Sequence, residues 1–276
     1  MSLSLSELSK RILTAVVLIP GITALLFFAK LLEVDWAVGL LLTLVASLSG
    51  LEYLGLVERM GLPLERYSFL ALVAFLEFVY VFFRGLHLVL AVGAVFLLPC
   101  LWYLPQPQGV KRALAAILGL LYIPWLLHFF YLIYRAPSYA GWLYAMLLLV
   151  MSWSYDIGAY FVGSRFGRHK LAPNLSPKKT IEGVLGGLLF TFLGANLTPI
   201  WVNWPAWIPH IFMLSLLVAV AMQLGDLFES KLKRLAGVKD SGGLLPGHGG
   251  MLDRIDGLLF AIPVFYLYFH YVLRFV

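Results

Sequence analysis

The sequence predicts an all-α, polytopic integral membrane protein with about nine transmembrane helices and a cytoplasmic N-terminus. Composition is the first reason: 62% of the 276 residues are hydrophobic and 12% charged. Soluble domains average about 25% charged and about 45–50% apolar residues. The mean hydropathy of +0.91 points the same way. The second reason is length, because the apolar runs recur at the roughly 20 residues that a spanning helix needs. The third is the placement of basic residues between those runs.

The spans fall at roughly 11–30, 36–57, 67–83, 86–104, 113–134, 140–162, 181–203, 208–229 and 256–275. The first follows Lys10-Arg11 and has no small-residue cleavage site after it, so it reads as an uncleaved helix. Residues 3–8 before it read as a short interfacial helix. The third and fourth are joined by a tight turn at Arg84-Gly85. The seventh and eighth are joined by the uncharged segment 196–209, whose Trp201, Trp204 and Trp207 suit an interfacial aromatic belt. No polar stretch is long enough to fold separately. Residues 1–276 therefore read as one membrane domain, with N-terminal helices over 1–150 and the chemistry-bearing helices and loops over 151–276.

With the N-terminus inside, only Lys30, Arg84, Arg135 and Arg274 of the 20 basic residues fall on the outer side. That bias supports both orientation and helix count. It puts the loops 163–180 and 230–255 on the cytoplasmic face of a cell membrane. The net charge of +6 lies in loops beside apolar runs, so anionic headgroups and anionic substrates are the expected partners rather than nucleic acid. Cys100 is the only cysteine, which excludes an intramolecular disulfide.

Three polar clusters stand out. In the first, Asp156 sits inside the sixth span, where a carboxylate is costly and points to function. Ser176-Pro177-Lys178-Lys179-Thr180 then places two ammonium groups before a helix start, where free backbone N–H groups favour anions. In the second, Gln223, Asp226 and Glu229 lie near the inner end of the eighth span, facing the basic residues of the next loop. The third has six glycines within 237–250, with His248 between Gly247 and Gly249. Such a loop can bring backbone N–H groups close to a ligand. Asp253-Arg254-Ile255-Asp256 follows, and the spacing of three sets both acids on one helix face. Beside Asp226 they make an oxygen-rich site suited to a hard cation such as Mg²⁺. Glu52, Glu77 and His128, isolated in apolar runs, read as helix–helix hydrogen bonders.

Residues 230–256 resemble the signature of the phosphatidate cytidylyltransferase, or CDP-diacylglycerol synthase, family. The matching elements are Ser230, Lys233-Arg234, Lys239-Asp240, Pro246-Gly-His248-Gly249-Gly250 and Asp253-Arg254-Ile-Asp256. Upstream, Asp156-x-Gly158-Ala159-Tyr160-Phe161 and Ser176-Pro177-Lys178-Lys179-Thr180-x-Glu182-Gly183 fit the same family. One departure is Ile157, where the family more often has Thr, which weakens any role for a hydroxyl there. The resemblance is firm over 152–257; over the first 150 residues only hydrophobic character agrees.

The resemblance implies transfer of CMP from CTP to phosphatidate with Mg²⁺, giving CDP-diacylglycerol and pyrophosphate. Asp226, Asp253 and Asp256 would bind the metal, with room for a second cation such as K⁺. Lys233, Arg234, Lys239, His248 and Arg254 would hold the triphosphate. Lys178 and Lys179 would hold phosphate from the other loop, and Asp156 would orient a lysine or join the metal site. CTP or dCTP fits equally. The phosphatidate would come from the inner leaflet among membrane lipids, and a homodimer is compatible with all of this. A cation-coupled transporter would put its acids near mid-membrane on broken helices. A CDP-alcohol phosphatidyltransferase would carry an Asp-Gly-x-x-Ala-Arg motif, which is missing.

Overall fold

The computed structural model describes residues 19–83, 85–136, 140–197, 208–243 and 249–274. Among these, helix covers α1 (Ile19–Leu31), α2 (Trp36–Arg59), α3 (Arg66–Phe82), α4 (Gly85–Tyr103), α5 (Gly109–Tyr134), α6 (Gly141–Phe166), α7 (Ile181–Leu197), α8 (Ile208–Leu235) and α9 (Leu252–Leu273). Among the described residues each expected span overlaps a helix. Five of them, α2, α5, α6, α8 and α9, are long and apolar enough to cross a membrane by length and composition. The α1, α4 and α7 stretches are shorter apolar helices, and α3 has 17 residues. Prolines sit inside α4 (Pro99), α5 (Pro124) and α9 (Pro263). Around Pro124 the helix widens to a π-turn over Leu121–Trp125, as expected where a backbone N–H is missing. The interfacial helix at 3–8 and the tryptophan belt lie outside the described residues.

Two features depart from the expected loops. Segment 163–180 is not irregular: α6 continues to Phe166, and β1 (Lys170–Ala172) pairs antiparallel with β2 (Ser176–Thr180). Lys170 faces Thr180 and Ala172 faces Ser176, with a bulge between. The turn is closed by the Leu175 N–H donating to Ala172 O at 3.1 Å, with Pro173 and Asn174 at its centre, a composition that favours a β-turn. Likewise α8 runs on to Leu235, so Lys233 and Arg234 occupy its last turn and are not loop residues.

The chain divides into two compact units. The first comprises residues up to Tyr131 plus Leu235–Arg254, the second Leu132–Arg234 plus Ile255 onward. In the first, Gly119 lets α5 press onto Tyr53 and Phe69, whose rings stack at 6.0 Å. The Tyr53 hydroxyl donates to Ala115 O at 2.7 Å. Glu77 and His128 are buried here, His128 stacked on Tyr80 at 3.8 Å. In the second unit α6 and α7 touch along small residues, Gly158 under Phe190, Gly187 under Tyr155 and Gly194 under Ser154. This close approach is how helices associate where lipid removes the hydrophobic drive.

Candidate active site

The second unit holds a cleft of about 520 Å³, within the range of small-molecule sites. Four parts of the chain line it. From α6 come Tyr155 and Asp156; from the hairpin Lys170, Lys178 and Lys179; from α7 Gly183; from α8 Gln223 and Asp226. Asp156, Lys178, Lys179 and Asp226, far apart in sequence, all line this cleft. Tyr155 and Lys170 were not foreseen. The Tyr155 hydroxyl donates to Gln223 Oε1 at 3.0 Å and ties α6 to α8. Lys170 reaches the cleft because β1 lies beside β2.

The hairpin is anchored at both ends. Glu182, in the first turn of α7, accepts from the backbone N–H groups of Arg168 at 3.1 Å and His169 at 3.2 Å, and its Oε1 lies 2.6 Å from His169 Nδ1. Thr180 Oγ1 accepts from the Gly183 N–H at 3.1 Å, which caps α7. The Arg234 Nε–H donates to Leu175 O at 3.2 Å, so this side chain braces the hairpin turn in addition to any phosphate role.

The acids of α8 and α9 lie together. Lys179 pairs with Asp226, and Ser230 Oγ lies 3.4 Å from Asp226 Oδ1. Glu229 is fully buried and pairs with Lys233 one turn on. Asp256 neighbours Asp226 and Glu229, and its Oδ1 accepts from the Gly257 N–H at 2.7 Å. Gly225 is what admits the approach: a Cβ there would lie 3.0 Å from the Gly257 Cα. Three carboxyl groups thus meet two ammonium groups.

Among the described residues no three His, Cys, Asp or Glu side chains converge as a ready ligand cage. Mg²⁺ does not ask for one, since it is usually held by one or two carboxylates plus waters and substrate phosphates. Asp226 and Asp256 fit that donor set. The ammonium of Lys179 lies against Asp226 Oδ2.

In the first unit, Asp253 turns one oxygen toward its own loop. Its Oδ2 accepts from the Ser241 N–H at 3.0 Å, Ser241 Oγ at 2.9 Å and the Gly250 N–H at 2.9 Å. Glu52 of α2 meets the same loop, accepting from the Met251 and Leu252 N–H groups at 2.9 and 2.8 Å. Lys239 and Arg254 are exposed, and His248 lies outside the described residues.

Residues 9–272 match the cytidylyltransferase family. A protein named phosphatidate cytidylyltransferase from Thermotoga maritima is 45% identical over 170 residues, 59% of this chain and 62% of that protein. One of the same name from Bacillus subtilis is 45% identical over 151 residues, 54% of this chain and 55% of that protein. Another from Haemophilus influenzae is 41% identical over 144 residues, 51% and 50% of the two chains. The matched stretches thus span between half and less than two thirds of these relatives' own lengths.

Proposed function

The chain belongs to the cytidylyltransferase family, and from that premise we propose that it transfers CMP from CTP to phosphatidate, giving CDP-diacylglycerol and pyrophosphate. The observation that carries the proposal is the cleft in which Lys170, Lys178 and Lys179 gather beside Asp226. A polyanionic substrate needs such cations, and a metal-assisted one needs the acid.

A phosphatidate phosphate oxygen attacks the α-phosphorus of CTP. The new P–O bond forms as the bond from that phosphorus to the α,β-bridging oxygen breaks, and pyrophosphate leaves with the electron pair. The nucleophile is already an anion, so no strong base is required, and the catalytic work is positioning and charge neutralisation. Mg²⁺ held by Asp226 and Asp256, with K⁺ as a fitting second cation, would offset triphosphate charge. Lys178 and Lys179 hold phosphate at the hairpin, Lys239 and His248 at the glycine-rich loop, and Arg254 adds positive charge beside it. Lys233 keeps the buried Glu229 neutralised. Asp156, exposed in the cleft, orients the hairpin lysines. Asp253, besides the metal role its spacing implies, holds its loop through Oδ2. The relatives named for phosphatidate support this substrate pair.

The test is incorporation of label. With α-³²P-CTP and phosphatidate in mixed micelles, label should enter a chloroform-soluble product in step with pyrophosphate release. Label that stays in the aqueous phase would end the proposal.

We place the protein in the cell membrane with the N-terminus and the cleft on the cytoplasmic side, on the strength of the basic-residue bias. In a Cys100→Ser background, cysteines introduced at Lys178 and Lys239 should react in intact cells with a permeant but not an impermeant thiol reagent. A cysteine at Asn203 should react with both. Labelling of position 239 by the impermeant reagent would reverse the orientation.

A further inference from the structure

A carboxylate in the middle of an apolar helix is costly unless every lone pair it presents is met. Glu52 of α2 is 6% exposed. Its Oε1 accepts from the Met251 N–H at 2.9 Å, and its Oε2 from the Leu252 N–H at 2.8 Å, with Ser241 Oγ at 3.2 Å. Met251 and Leu252 stand at the start of α9, where backbone N–H groups lack helical partners and favour a negative charge. Ser241 stands earlier in the glycine-rich loop, just before Gly242-Gly243. Its N–H and hydroxyl reach Asp253 Oδ2, which also accepts from Gly250. Two carboxylates, linked through one serine, therefore close the base of the loop from both sides.

The glycines follow from this closure. A Cβ on Gly242 would lie 2.5 Å from Glu52 Oε1, and one on Gly250 would lie 2.5 Å from Glu52 Oε2. Gly242 is small because Glu52 is there, and Gly250 because Ser241 Oγ and Glu52 both are. Gly249 is required for another reason, its φ of +81°. The closure also restricts where an anion can bind. The N–H groups of Ser241, Gly250, Met251 and Leu252 are all taken by carboxylates and are not free to meet an anion.

We propose that Glu52, together with Ser241, is a positioning residue that presets the glycine-rich loop for the nucleotide, which makes an N-terminal helix part of the catalytic apparatus. This rests on the CMP-transfer reading above. The residue touches no substrate; it acts through the loop. Losing it should therefore weaken use of CTP and spare use of phosphatidate.

Glu52→Gln keeps the volume but opposes an NH₂ to a backbone N–H. Its kcat/KM for CTP should fall about 10²-fold, the usual cost of a misplacement of about 1 Å, while KM for phosphatidate stays within about twofold of wild type. Ser241→Ala should fall in the same direction, Ser241→Thr should restore activity, and Glu52→Gln/Ser241→Ala should be less than additive because the two act as one unit. Hydrogen exchange of the Gly249–Leu252 amides should accelerate in Glu52→Gln, a readout independent of turnover. Wild-type kcat/KM for CTP in folded Glu52→Gln would overturn the proposal. So would equal shifts of both KM values with activity merely tracking thermal stability. If the wild-type protein transfers no CMP, the functional reading fails, and unchanged amide exchange would then refute the clamp separately.

Discussion

Asp256→Asn is expected to lower kcat by about 10²–10³-fold, the scale of losing one electrostatic contact to the reacting group, with the protein still inserted and folded. Asn has the same shape and keeps an oxygen to accept the Gly257 N–H, which Asp256 Oδ1 does at 2.7 Å. The loss is therefore of charge, next to Asp226 and Glu229. A metal ion offsets phosphate charge only as firmly as its carboxylates hold it. The variant should accordingly need more Mg²⁺, and a metal titration should recover part of the lost rate. Asp253→Asn should be milder at saturating Mg²⁺, because an amide oxygen can still accept from the Ser241 and Gly250 N–H groups that Asp253 Oδ2 serves. Steady-state kcat across a Mg²⁺ series, with melting temperature as the folding control, checks both. Near-wild-type turnover in Asp256→Asn would remove this acid from the metal site.

How much of this could be read from the sequence depends on the range of each interaction. Helices declare themselves by local apolar length, so all nine expected spans coincide with helices among the described residues. Their ends did not. Ser230-Lys-Leu-Lys-Arg looked like loop because it is charged, yet lysine, arginine and leucine are good helix formers, and α8 continues through them. The hairpin was hidden behind its lysines, although Pro173-Asn174 is a local turn sequence that announces it. Asp156, Lys179 and Asp226 were legible one by one, as charges at membrane depth or beside a helix start. That Lys179 pairs with Asp226 was not, since pairing is a tertiary fact. Glu52 shows the limit. It read as a bond between helices, yet its partners are a loop hydroxyl and two backbone N–H groups at a helix start, about 200 positions away, at 241, 251 and 252. No local pattern could have named them.

The two hairpin lysines, equivalent in sequence, are not equivalent in the fold. In a strand successive side chains point to opposite faces. Lys178 is exposed, whereas the Lys179 side chain is 19% exposed and pairs with Asp226. Lys179→Ala is therefore expected to cost about 10²-fold in kcat/KM, on the scale of a lost charge-assisted contact in a reacting site, and Lys178→Ala less than about tenfold. The larger loss has two parts. A phosphate oxygen loses its ammonium partner, and Asp226 loses the cation that offsets it. The second part gives the test its direction. If Asp226 holds Mg²⁺ as proposed, Lys179 and the metal compete for one carboxylate, so removing the lysine should lower the Mg²⁺ concentration for half-maximal activity even as the maximal rate falls. Loss of a merely structural ion pair would lower thermal stability without that opposite movement. Measuring kcat, KM for each substrate and half-saturating Mg²⁺ for both variants separates these outcomes. Equal losses in Lys178→Ala and Lys179→Ala, with no change in metal requirement, would show that the pairing with Asp226 has no part in the reaction.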